Sequence, residues 1–161
     1  MKGPSMKYPQ PVFDANTSGG KDFGNLPEWD LSDLYPATDS PELTRDMAWL
    51  EQECANFAAS YEGKLAGLDA AGLLAAVQQY EQIDIIAGRI MSFAGLRYYQ
   101  ATTDSDRAKF MADCQDKITN FTTPLVFYGL EFNRLDDAHL AGLLAANADL
   151  ARYKPVFDRM R

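Results

Sequence analysis

The chain carries one histidine, His139, and two cysteines, Cys54 and Cys114. Catalysis draws on a base, a nucleophile or a metal, so these side chains are where a reaction would start. Asp136-Asp137-Ala138-His139 sets a carboxylate and an imidazole one helical turn apart. A catalytic zinc, however, takes three protein ligands, commonly with two histidines as in His-Glu-x-x-His. A di-iron bundle needs a Glu-x-x-His motif from each of two helices and further glutamates on two more. A single histidine meets neither requirement, and His139 reads as a solvated residue near a helix start. Cys54 and Cys114 fall on apolar stripes with no cation or helix N-terminus beside them, which predicts buried, inert thiols rather than thiolate nucleophiles. The glycines near the N-terminus do not form a phosphate loop, because no strand precedes them and no Gly-Lys-Ser/Thr follows.

Two further charges stand out. Arg97 continues an apolar helical stripe, and Asp84 sits beside that stripe. One reading has their charged ends snorkel or pair with neighbouring helices. The other has Arg97-Tyr98-Tyr99-Gln100 face a cleft or a partner domain, where Arg and Tyr are enriched. The aromatic series Phe121, Tyr128, Phe132 reads as core. No active site can be assembled from these residues.

The elements that would position them are helices. Ser40 is an N-cap followed by Pro41 at the first helical position and Glu42 at the positive end of the dipole. Leu43, Met47, Leu50, Cys54, Phe57 and Tyr61 then mark one helix face, ended by Gly63 or Gly67. Asp69 caps a second helix whose stripe runs Leu73, Val77, Tyr80, Ile83, Ala87, Ile90, Ala94. Ile86 and Phe93 broaden it, as for a helix with neighbours on more than one side. Carried to about Gln100, it would be ~45 Å long. Ala101 to Asp104 breaks the pattern, and Thr103 with Asp106 resembles a capping box. A third helix carries Met111, Cys114, Ile118, Phe121, Leu125, Tyr128 and Phe132, with a kink expected at Pro124 rather than a division into two helices. Asp136 or Asp137 opens a shorter helix with Leu140, Leu143 and Leu144. A turn at Asn147 to Asp149 precedes a last segment with Leu150, Tyr153 and Phe157. Short turns between long amphipathic helices predict an all-α fold, an antiparallel bundle. Residues 1–25 read as an irregular tail, and 26–36 as an ordered piece, extended with one helical turn, that docks on the body.

The 161 residues suit one domain, and 47% apolar with 24% charged residues provides for a packed core. A formal net charge of −8 with no basic cluster argues against nucleic-acid binding. No apolar run reaches the ~20 residues of a membrane span. With no secretory pattern at the N-terminus and only two cysteines, a reducing cytoplasmic setting is expected. The amphipathic pattern is still running at Arg161, which raises the expectation of a longer polypeptide.

Leu26-Pro27-Glu28-Trp29-Asp30-Leu31-Ser32-Asp33-Leu34-Tyr35-Pro36 resembles the opening signature of the oligoendopeptidase F family, zinc metallopeptidases related to thimet oligopeptidase. Phe93-Ala94-Gly95-Leu96-Arg97-Tyr98-Tyr99-Gln100-Ala101-Thr102-Thr103-Asp104 resembles a second stretch of that family, and the helix order to Phe157 fits its N-terminal helical region. The resemblance covers residues 26–161 and implies the N-terminal helical domain of a longer peptidase. In that family, zinc held by His-Glu-x-x-His and a distant glutamate hydrolyses short peptides, the motif glutamate acting as general base on zinc-bound water. None of those residues occurs here. The resemblance therefore implies no catalytic, cofactor-binding or metal-binding residue in this chain, no activity for it alone, and zinc on an absent catalytic domain joined in cis. What it implies here is part of the wall of a peptide channel, with Trp29, Leu31, Leu34, Tyr35, Arg97 and Tyr98 as candidates for docking on the catalytic lobe or lining the channel. The other reading of the same helices is a free-standing interaction module without enzymatic activity.

Overall fold

A computed structural model describes residues 28–160. The expected tail over 1–25, and Leu26 and Pro27 of the opening motif, lie outside the described residues. The fold is all-α, with no strand among the described residues. Its helices are α1 (Pro41–Tyr61), α2 (Ala70–Gln100), α3 (Ser105–Thr122), α4 (Val126–Phe132), α5 (Asp137–Ala146), α6 (Ala148–Ala151) and α7 (Lys154–Met160). Ahead of α1, Leu34 and Tyr35 both donate their backbone N–H to the carbonyl of Leu31. This makes the single helical turn expected there.

Side chains supply the helix starts. The Ser40 hydroxyl accepts from Leu43 N, Asp69 from Gly72 N and Asp136 from His139 N, each satisfying a donor that the first turn cannot pair internally. The cap of α3 is Asp104, which accepts from the N–H groups of Asp106 and Arg107. The Thr103–Asp106 box does not form: a carboxylate one residue later reaches two donors, and Asp106 is too short to reach back. After α1, Gly63 turns the chain with φ +74°, and Lys64 Nζ donates to the carbonyls of Ala59 and Ser60 at 2.9 and 3.0 Å. A cation thus meets the negative end of α1.

Pro124 does more than kink the third helix. It has no N–H to give to the carbonyl one turn back, and α3 gives way to a 3-10 turn over Thr123–Leu125 before α4 resumes. Thr122 and Thr123 turn their hydroxyls onto the carbonyls of Ile118 and Thr119 at 2.8 and 2.7 Å, which favours bending at this point. The expectation of one continuous, kinked helix is therefore corrected to two helices.

The core has two parts, and α2 runs through both. Leu43, Leu50, Cys54 and Phe57 of α1 pack with Ile83, Ile90, Phe93 and Ala94 of α2, Cys114 of α3, and Leu125 and Tyr128 around the Pro124 turn. Phe57 is the hub of the aromatic contacts, touching Tyr61, Tyr80, Phe127 and Tyr128 with ring centroids 4.8–5.9 Å apart. The second part joins Leu73 and Val77 from the start of α2 to Phe132, Leu135, Leu140, Leu150 and Phe157. The breadth of the α2 stripe thus has its explanation: α1 and α3 cover its later turns, α5 and α6 its first.

Candidate functional site

The segment before α1 is fastened to the helices by a buried carboxylate. Asp46 points inward from the first half of α1. It accepts the Tyr35 hydroxyl at 2.9 Å and Arg89 Nη1 at 3.3 Å on one oxygen. The Arg45 guanidinium lies against its other oxygen at 3.1 Å. Arg89, from α2, also donates to the Leu34 carbonyl, and its guanidinium carbon stands 4.4 Å over the Tyr35 ring. Burial and the hydrogen bond to Asp46 both hold the Tyr35 hydroxyl well above the usual phenol range. Among the described residues each charge here has an internal partner, as a strut requires.

Beyond this strut the same segment roofs a pocket at the C-terminal end of α2. The pocket, open to solvent, holds about 190 Å³ and is lined in part by Trp29, Leu31, Tyr35, Phe93, Arg97 and Arg107. A relay holds its frame. Arg107 Nε lies 3.4 Å from Asp104, while its Nη1 donates to the Arg97 carbonyl at 3.1 Å and to Gln100 Oε1 at 3.0 Å. Gln100 Nε2 in turn donates to the Trp29 carbonyl at 2.9 Å. Trp29 itself is 57% exposed. Glu28 and Asp30 also line the pocket, and the Ser32 N–H on Asp30 Oδ1 at 2.9 Å holds that carboxyl below its ordinary range.

Arg97 differs from its neighbours. Its Nε is buried and has no hydrogen-bond partner among the described residues; its guanidinium lies 6.0 Å from the centre of the Phe93 ring. An unsatisfied buried donor costs about 1–3 kcal/mol, so this is the one polar atom here whose place the internal packing does not explain.

The six docking candidates separate accordingly. Trp29, Leu31, Tyr35 and Arg97 come together around this pocket. Tyr35 is fully buried with its hydroxyl on Asp46, which removes it as a docking surface; its role is internal. Leu31 and Leu34 are partly buried against the core. Tyr98 is half-buried and its ring meets that of Tyr99, which is exposed. Asp84 is exposed and forms no ion pair with Arg97. Asp46, Arg89 and Glu131, none of which the sequence reading singled out as a site residue, carry several of the long-range polar contacts. Glu131 accepts the N–H groups of Gly63 and Leu65 at 2.6 and 3.3 Å, tying α4 to the turn after α1.

The remaining chemistry-bearing side chains stay apart. His139 is exposed in the first turn of α5. Both cysteines are buried, and burial pushes the Cys54 thiol up to about 11 and the Cys114 thiol in the same direction. Among the described residues, no group of three or more His, Cys, Asp or Glu side chains could hold a metal ion, and no helix is long and apolar enough to cross a membrane. A larger open groove of about 650 Å³ runs between α1 and α3, with Leu43, Met47, Phe110 and Phe121 along it and Glu51 and Lys117 at its rim. Comparison with family models, with curated proteins and with solved structures finds no match to this chain.

Proposed function

We propose that this chain is the non-catalytic N-terminal helical part of an oligoendopeptidase F-like zinc metallopeptidase. In this reading it forms one wall of a channel that admits short peptides to a zinc centre carried on further polypeptide. The supporting observation is spatial. The described part of the first stretch that resembles the family, residues 28–36, meets the second, residues 93–104, in the fold. The Tyr35 ring packs edge-on against Phe93 at 5.4 Å, and Gln100 holds the Trp29 carbonyl across a sequence separation of 71 residues. Chance likeness at two separate places carries no requirement that they touch; a shared architecture does. Long helices locked by internal ion pairs and aromatic packing also suit a wall, which must stay rigid while its open side selects by size.

The zinc and its His-Glu-x-x-His ligands belong, in this proposal, to the catalytic part in cis, with Trp29, Arg97 and Tyr98 offered towards it or towards the channel. The test is the reading frame beyond Arg161, together with the metal content of the purified 161-residue chain. A frame that continues to a His-Glu-x-x-His motif, with a chain that neither cleaves peptides nor holds zinc, supports the proposal. One zinc per chain with peptide cleavage overturns it. The second reading, a free-standing interaction module, draws on the open apolar groove between α1 and α3. An immediate stop codon and a defined partner whose binding is lost in Met47→Glu would favour it.

A further inference from the structure

We propose that residues 28–36 form a strap that is closed most of the time but opens as one unit while the helices stay folded, and that the sealed Arg97 donor beneath it favours the opening. The inference rests on the fold alone and holds whether or not the chain belongs to a peptidase.

Three observations carry it. The first is how the strap is held. Its own backbone N–H groups bond locally: those of Leu34 and Tyr35 to the Leu31 carbonyl, and that of Ser32 to the Asp30 side chain. Among the described residues, every hydrogen bond joining the strap to the helices runs through three helix side chains. Asp46 accepts the Tyr35 hydroxyl, Arg89 donates to the carbonyls of Asp33 and Leu34, and Gln100 donates to the Trp29 carbonyl.

The second is how little the strap buries. Tyr35 alone is fully buried, against Phe93 and under the Arg89 guanidinium. Leu31 and Leu34 are partly buried, and the other six residues are exposed. One ring, two leucines and three ties are a small hold beside that of a long packed helix, and segments so held open at low free energy. Past Pro36, the exposed Thr38 and Asp39 lead to Ser40, whose cap on Leu43 N fixes the start of α1 independently of the strap.

The third is the donor underneath. Leu31, Ser32 and Tyr35 line the same hollow as Arg97, and Arg97 Nε is sealed from solvent without a hydrogen-bond partner among the described residues. A sealed donor forfeits the bond that water would give it, and lifting the strap restores that bond. The closed state thus carries a penalty that the open state does not. Charge does little to offset it. Glu28 and Asp30 line the hollow with Arg97 and Arg107, but no ion pair among the described residues joins either acid to either arginine, and unpaired surface charges attract weakly through water.

The test is native-state hydrogen exchange on the full 161-residue chain, read by NMR at rising urea below the unfolding transition. We expect the Leu34 and Tyr35 amides to exchange about a hundredfold or more faster than those of Ile83 and Ile90. Their rates should barely change with urea, because opening the strap exposes little surface, whereas those of Ile83 and Ile90 should climb steeply. A strap that moves as one unit also couples its ends. Gln100→Ala cuts the tie at Trp29 and should speed exchange at Tyr35, towards the other end, about threefold. Tyr35→Phe cuts the tie at Asp46 and should speed exchange at Leu34 about fivefold. Arg97→Met keeps the bulk, removes the stranded donor and should slow both amides about tenfold; a merely structural arginine would give the opposite sign. Circular dichroism confirms that each variant keeps its helices, and Arg97→Leu serves if Arg97→Met does not fold. The proposal is overturned if the Leu34 and Tyr35 amides follow the urea dependence of Ile83, if Gln100→Ala leaves Tyr35 unchanged, or if removing the Arg97 guanidinium speeds exchange or leaves it unaltered. Failure here leaves the peptidase reading untouched, since that reading turns on the reading frame and the zinc content.

Discussion

Replacing Asp46 by alanine should separate the segment before α1 from the helices it lies on. The carboxylate side chain is 9% exposed and that of its partner Arg89 36%, so the pair sits at the edge of the core rather than deep within it. Breaking a fully buried ion pair costs about 3–5 kcal/mol, and losing a hydrogen bond to a charged group about 1.5–3. Solvent screening of the half-exposed Arg89 lowers the first figure, and Arg89 keeps its bond to the Leu34 carbonyl. The Tyr35 hydroxyl, buried at 2.9 Å from Asp46, loses its acceptor outright. Together these give about 2–3 kcal/mol for Asp46→Ala, a large share of the stability of an ordinary domain. Tyr35→Phe removes the donor only and should cost about 1 kcal/mol. Because the two residues share one hydrogen bond, the double variant should be less destabilised than the sum of the singles by about 1 kcal/mol. Urea unfolding followed by circular dichroism measures all three, and Tm should fall by about 3 °C per kcal/mol for a chain of this size. Strictly additive effects, or an Asp46→Ala cost below about 0.5 kcal/mol, would refute the reasoning that this carboxylate is the strut.

Other perturbations follow from the same geometry. Glu131→Ala removes the acceptor for the Gly63 and Leu65 N–H groups and should cost about 1–2 kcal/mol in the same unfolding assay, with Glu131→Gln losing less because an amide oxygen still accepts. Native Cys54, with its thiol pushed up to about 11 by burial, should react with a disulfide reagent at pH 8 far more slowly than in urea; equal rates would show it to be accessible. Burial raises the folded-state titration of Tyr35, Tyr80 and Tyr128 above the ordinary value of 10. Their contribution is fully present below about pH 10, and it is lost as the pH rises from there towards the folded values. The buried thiols of Cys54 and Cys114, raised in the same way, add a loss that sets in from about pH 8.5; Tm should therefore be flat through neutral pH and fall on the alkaline side, and a fall already under way at pH 7 would contradict this assignment.

The helix starts were legible because each is written locally. A capping side chain, the residues it reaches and the stripe that follows lie within one turn of each other, as at Ser40, Asp69 and Asp136. At Asp104 the local signal was ambiguous between neighbouring residues, and the choice of Thr103 missed by one. The division at Pro124 was harder. A missing N–H states that the helix is disturbed, while the outcome depends on whether nearby threonines take up the freed carbonyls and on what Leu125 and Tyr128 gain by packing inward. The polar strut was not legible at all. Asp46 falls between Leu43 and Leu50 on the inward face of α1, a position that announces itself only once its partner is known. Arg89, interrupting an apolar stretch of α2, is 43 residues away, and only the mutual rotation of two packed helices brings the pair together. The pocket lies between these cases: Arg97 and Trp29 were each visible as odd residues, but their convergence depends on the Gln100 and Arg107 relay that the fold assembles.

Because α2 threads both halves of the core, neither half can relax in isolation. Its first turns are sheathed by the α5 and α6 side and its later ones by α1 and α3, while helical order spreads along a single backbone at little nucleation cost. Amide exchange along this helix should consequently be slowest near Ile83, where the two sheaths adjoin, and quicken outward in both directions. A lesion at Phe157 in the far half would then loosen amides around Val77 first and reach Ile90 only through the spine itself.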